Sequence, residues 1–194
     1  MLLSRFYPWE TADSVFSIDY DKLYRLGYRG ILFDIDNTLV LHGADSNEAV
    51  DELFRRLHAL GLQTLLLSNN SEERILRFLA QIDAPYLAEA DKPAPAAYLR
   101  AVEMLGLRKE QVIVIGDQLF TDVYGANRAG LASIRVDFLR HPGERHFGKR
   151  RAAENLVLWC WQRSPAYRHR LGGIVKKERG EPPCRRKSAN CFVR

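Results

Sequence analysis

The chain has 194 residues, 46% hydrophobic and 27% charged, with a formal net charge of +5 at pH 7. This is the profile of a soluble globular protein of one ordinary domain, with about 30 to 50 residues left for appendages. No apolar run reaches the roughly 20 residues needed to cross a bilayer, and three cysteines, an odd number, argue against a disulfide framework.

The first ten residues lack the apolar stretch of a secretory signal, so a cytoplasmic location is expected. Residues 17–24 predict a short helix capped near Asp19. Residues 29–35 form a first buried strand. Residues 46–60 place apolar side chains at 49, 50, 53, 54, 57 and 60, which is helical spacing. Gly61 stops that helix and residues 62–67 form a second strand. Asn70 or Ser71 caps a helix running to about residue 82, with Glu72 and Glu73 in its first turn. A short strand is expected near Tyr86 and Leu87, then a helix opened by Lys92, Pro93, Ala94 and Pro95 and running through Leu105. Residues 111–115 form a fourth strand, residues 121–128 a brief helix, and residues 132–136 a fifth strand. Strands alternating with helices imply a doubly wound, Rossmann-like parallel sheet, a three-layer α/β/α fold.

Beyond Val136 the pattern changes. Residues 137–149 read as a loop and residues 150–163 as a helix bearing Leu156, Trp159 and Trp161. From Ser164 onward the composition favours a flexible tail. Residues 140–194 hold 15 Lys/Arg against 4 Asp/Glu, a net of +11, while residues 1–139 carry −6. A basic end of this kind suits an anionic surface, or is simply a solvated tail. Cys160 reads as a packing residue. Cys184 and Cys191 have no companion histidines at zinc-site spacing and are not expected to bind metal.

The most informative segment is Asp34-Ile35-Asp36-Asn37-Thr38, directly after the first strand. Two carboxylates at the end of a buried strand repel each other, a cost that a shared hard cation such as Mg²⁺ removes. Three more polar clusters fall at strand ends or in the loops that follow: Ser68-Asn69-Asn70, Lys92, and Gly116-Asp117-Gln118 with Asp122. In a doubly wound sheet those ends share one edge, where ligands bind. Taken singly, each has a plainer reading. Asp34 and Asp36 could form a metal site without turnover, Ser68 a helix cap, Lys92 a solvated loop lysine, and Asp122 a favourable charge at a helix start. Receiver domains also combine acids, a hydroxyl and a lysine, but carry their acidic pair and their phosphorylated aspartate in a different order.

In that order and spacing the clusters resemble the four motifs of haloacid dehalogenase-type phosphatases. The branch they are similar to is the YqeG-like one of subfamily IIIA, related to phosphatidylglycerophosphate phosphatases. The resemblance covers about residues 6–146. It marks a hydrolase core (29–148), beside which the chain divides into an N-terminal segment packed on the core (1–28), a C-terminal helix (149–163) and a basic tail (164–194). It also implies that Asp34 attacks phosphorus and becomes an aspartyl-phosphate. Asp36 would protonate the leaving oxygen and later activate water, for which it needs a raised pKa supplied by burial or a hydrogen bond. Ser68, Asn69 and Lys92 would hold the phosphoryl oxygens. Mg²⁺ would be bound by Asp34, the Asp36 main-chain carbonyl and Asp117, with Asp122 in support.

Seven residues separate Thr38 from Ser46, and 22 separate Asn69 from Lys92, too few for an inserted cap domain. An open site suits a large or membrane-borne phosphate ester such as phosphatidylglycerophosphate. The tryptophan-bearing helix, flanked by Lys149, Arg150, Arg151 and Arg163, reads either as a peripheral membrane contact or as a terminal helix packed on the sheet. Two other functions stay open: a phosphatase of soluble sugar or nucleotide phosphates, lidded by a subunit of a homo-oligomer, and a nucleic-acid-binding assembly factor that uses the basic tail.

Overall fold

The computed structural model describes residues 3–140 and 149–176. Among them six parallel strands, β1 (Glu10–Ala12), β2 (Gly30–Phe33), β3 (Gln63–Leu67), β4 (Tyr86–Leu87), β5 (Val112–Gly116) and β6 (Ala132–Val136), lie in one sheet. Their order is β1-β6-β5-β2-β3-β4. The chain moves outward from β2 through β3 to β4, then returns to place β5 on the other side of β2. That reversal opens a crevice at the carboxyl ends of β2 and β5.

Alternation along the strands assigns side chains to the two faces. Ile31 and Phe33 pack on one face with helices α1 (Tyr20–Arg25), α2 (Glu48–Ala59) and α3 (Glu72–Phe78). Leu32, Leu65 and Val114 pack on the other with α4 (Pro95–Met104) and α5 (Tyr124–Ala129). The helix starts follow local chemistry. Asp19 accepts the Lys22 amide at 2.9 Å, Asn47 the Val50 amide at 3.1 Å, and Ser71 the Arg74 amide at 3.4 Å. Each satisfies an amide the helix itself leaves unpaired.

Strand β1 has no counterpart in the sequence expectations. Its three residues, Glu-Thr-Ala, lack any apolar alternation, and pairing with β6 in the register Glu10 to Ile134 makes it a strand. The tail expectation is corrected in its first part. Residues 164–176 fold onto the body: the Arg170 amide donates to Trp9 O, Ile18 bridges Val175, and Leu171 and Ile174 are buried. Glu10, itself buried, accepts from the Gly173 amide and pairs with His169 Nδ1 at 2.6 Å. The rest of the tail, with Cys184 and Cys191, and most of the loop before the last helix lie outside the described residues.

That last helix, α6 (Lys149–Gln162), divides its tryptophans. Trp161 is 1% exposed and packs with Tyr7, Leu119, Val123 and Val157, its Nε1–H donating to Tyr167 O. Trp159 and Leu156, 52% and 63% exposed, face outward, with the Arg163 guanidinium stacked 3.7 Å from the Trp159 ring centre.

Candidate active site

Asp34 extends β2 by one residue, its amide donating to Ile115 O on β5. This places its carboxylate at the switch point. Asn37 then turns the chain with φ +63°, a conformation asparagine tolerates better than most residues. The turn returns Thr38 under the site, its hydroxyl 3.1 Å from Asp34 Oδ2 and 3.3 Å from Asp117 Oδ1.

From the other side, β5 ends in Gly116, and Asp117 follows it. A side chain at Gly116 would bring its Cβ within 2.4 Å of Asp122 Cγ, so only glycine lets Asp122 pack against the strand end. Asp122 sits in a wide π-helical turn (Leu119–Val123) in place of the expected regular helix start. The cause is visible in the bonding: Gln118 O accepts the amides of both Asp122 and Val123, while the Gln118 amide donates to Asp122 Oδ2 at 3.1 Å.

Asp34, Asp117 and Asp122 thus converge, each offering a carboxylate oxygen within 4.8 Å of the others, and all three are buried. Lys92 stands between two of them, its Nζ 2.6 Å from Asp34 and 2.7 Å from Asp122. Burial works against the ammonium, but Asp122 and Asp34 hold its pKa above the ordinary lysine value. Burial pushes the Asp34 carboxyl up to about 7 despite Lys92, and burial with Asp122 pushes Asp117 up to about 6 despite Arg151. Burial is the larger cause in both, and repulsion from the neighbouring carboxylates adds to it. An all-oxygen donor set of this kind fits a hard divalent cation, which would relieve the crowding.

Ser68 and Asn69 follow β3. Ser68 Oγ accepts the Asn70 amide at 3.2 Å, the geometry of a local cap, while the buried residue also lines the cavity beside Asp34 and Lys92. Asn69, expected on the phosphate, lines the same cavity and bonds the Lys92 backbone: its Oδ1 accepts Lys92 N at 2.8 Å and its Nδ2 donates to Lys92 O at 3.2 Å. It therefore positions the lysine.

Asp36 lines the same cavity, and its neighbours set its charge. Its side chain turns out of the carboxylate cluster and accepts from the Gly43 amide, Asn70 Nδ2 at 2.6 Å and Arg74 Nη2 at 3.0 Å. Burial alone would raise its pKa, yet these donors outweigh burial and hold it below the ordinary carboxylate value. The raised pKa expected of a resting proton donor is absent, because three donors stabilise the ionised form.

Sequence reasoning did not single out Thr38, Arg74 or Glu154. Thr38 lies inside the quoted motif. Arg74 has no signal beyond its place in the first turn of α3. Arg151 was noted only as a flanking charge, yet its guanidinium pairs with the Asp117 carboxylate and Glu154. Glu154 Oε1 in turn accepts the Leu119 amide at 3.1 Å, pinning α6 over the site.

This fold and site define a class. Residues 43–130, a span holding Ser68, Lys92, Asp117 and Asp122, match the family described as haloacid dehalogenase-like hydrolase. The chain is similar to "Probable phosphatase YqeG" of Bacillus subtilis (strain 168), 38% identical over 137 residues, which cover 70% of this chain and 80% of that protein. It is also similar to "Phosphatidylglycerophosphate phosphatase 1, chloroplastic" of Chlamydomonas reinhardtii, 29% identical over 71% of this chain and 55% of that protein. One solved structure shares the fold with a TM-score of 0.54 at 17% identity, covering 69% of this chain and 84% of the other. The chain belongs to the haloacid dehalogenase-like hydrolases and is a phosphatase.

Proposed function

We propose that the protein hydrolyses a phosphate monoester with Mg²⁺ through an aspartyl-phosphate on Asp34, and that its substrate is phosphatidylglycerophosphate at a membrane surface. The observation that carries the chemistry is the convergence of Asp34, Ser68 and Lys92 on one cavity beside the Asp117–Asp122 pair. Asp34 would attack phosphorus, and the phosphorus–oxygen bond to the alcohol would break as the new bond forms. Lys92 and the Ser68 hydroxyl meet charge on the phosphoryl oxygens. Asp34, the Asp36 main-chain carbonyl and Asp117 would hold Mg²⁺, with Asp122 fixing Lys92. When bound, the ion neutralises the carboxylates and polarises the phosphoryl group.

Asp36, held ionised, is ready to take a proton from the water that opens the aspartyl-phosphate. For the preceding step it must first gain a proton, so binding of the ester has to loosen its bonds to Arg74 and Asn70. The lipid substrate is supported by the similarity to the algal enzyme, by the short connections over the site, and by the outward Leu156 and Trp159 on a helix that opens with Lys149, Arg150 and Arg151.

The test measures Mg²⁺-dependent phosphate release from phosphatidylglycerophosphate in vesicles and from phenyl phosphate. Asp34→Asn should lower both by roughly 10³-fold or more. Wild-type activity on the lipid no greater than on phenyl phosphate would overturn the lipid assignment and leave the chemistry standing.

A further inference from the structure

The catalytic cavity, about 200 Å³, is lined among the described residues by an arginine that the four motifs do not supply. Lys92 is committed to Asp34 and Asp122 at its floor. His42 lies 3.4 Å from Asp36. Arg150 also lines the cavity, but it comes from the first turn of α6, outside every sheet loop. It is exposed, with its guanidinium 5.9 Å from the Phe120 ring centre, and among the described residues no carboxylate pairs with it.

Its placement is fixed by its neighbours. Arg151 is turned inward on Asp117 and Glu154, and also lies 4.3 Å from the Phe138 ring centre. Glu154 holds the Leu119 amide, and Val157 and Trp161 are buried in the same contact. With that face of α6 pinned to the body, Arg150 stays at the rim. The scissile phosphoryl group is already provided for on the floor by Lys92, Ser68 and the carboxylate cluster that fits a cation. A second cationic side chain at the rim would be idle for a simple monoester. It suits a substrate carrying another anion, because the planar guanidinium fork matches phosphate oxygens and is less strongly hydrated than an ammonium.

We infer that Arg150 reads a second anionic group on the substrate, a phosphate or phosphodiester a few bonds from the monoester that is cleaved. The inference rests on the phosphatase reading and deepens it. The second anion is either the phosphodiester of a phospholipid headgroup or the second phosphate of a soluble bisphosphate, and Arg150 would bind the two by the same chemistry.

The experiment compares kcat/KM for three soluble esters: phenyl phosphate, the deacylated headgroup glycerophosphoglycerol phosphate, and a hexose bisphosphate. Wild type, R150Q and R150K are assayed, with thermal melts to confirm folding. In wild type at least one doubly anionic ester should be preferred over phenyl phosphate. In R150Q that preference should fall about 10- to 100-fold, mainly through KM, as expected for one charge-assisted contact. R150K should restore part of it. A preference confined to the headgroup identifies the lipid source, and one confined to the hexose bisphosphate identifies the soluble source. Turnover of all three without preference, or an equal loss on all three in R150Q, would overturn the inference alone. No turnover by wild type of any of the three, nor of phosphatidylglycerophosphate in vesicles, would overturn the proposed function and the inference with it.

Discussion

At the residue scale, the site is a balance between too many carboxylates, the buried Lys92 and the half-buried Arg151. Asp34 and Asp117, raised to about 7 and about 6, bind protons more readily folded than unfolded. Without a divalent ion their contribution to stability is full below the unfolded carboxylate pKa and is lost as pH rises through about 6 to 7. Asp36 has the opposite sign, contributing stability that disappears only as pH falls below the ordinary carboxylate range. Bound Mg²⁺ needs the ionised carboxylates, so the stabilisation it confers should be greater at about pH 8 than at about pH 5.5. Melting curves with Mg²⁺ and with EDTA at both pH values check this, and an ion-induced shift independent of pH would refute it. Asp36→Asn, which removes the proton carrier while leaving Asp34 in place, should lower kcat by roughly 10²- to 10⁴-fold on any accepted ester.

At the scale of the element, α6 is held to the body by one face and open to solvent on the other. Trp161 belongs to the buried face, so Trp161→Ala should destabilise the protein by about 3–5 kcal/mol, read from denaturant unfolding. Trp159→Ala, on the open face, should stay within about 0.5 kcal/mol of wild type. The same Trp159 variant should bind anionic vesicles more weakly in a flotation assay if α6 is the membrane contact. Equal vesicle binding by the variant and wild type would remove this helix face from the contact. The divided helix packs Trp161 against Tyr7, Leu119 and Val123, and the vesicle assay decides what its outward Trp159 meets.

For the whole molecule, the decisive feature is how the chain after α6 closes the far edge of the sheet. Leu171 and Ile174 are buried there, and Lys22 Nζ donates to Gly172 O and Gly173 O at 2.6 and 2.7 Å. Truncation after Arg163 should therefore cost about 1.5–3 kcal/mol for each of those two apolar side chains. Truncation after Lys176 removes none of the described contacts and should leave the melting temperature near that of the full chain. The two melting curves separate a structural segment from a basic extension, and equal loss in both would contradict the division.

The sequence by itself determined the parallel sheet from β2 to β6, because buried strands and amphipathic helices write their periods directly into the chain. It also placed Asp34, Ser68, Lys92, Asp117 and Asp122 at one edge, since strand ends in a doubly wound sheet converge whatever the side chains between them. Gly116 was legible for the same local reason, a backbone forced close to its neighbour. Only the tertiary structure decided the state of Asp36, whose donors Arg74 and Gly43 are distant or inconspicuous in sequence. It alone made Glu10–Ala12 a strand, turned Asn69 toward Lys92, and brought Arg150 and Arg151 to the site from a helix beyond the last strand. Contacts such as these depend on which surfaces meet after folding, and no local period or spacing records that.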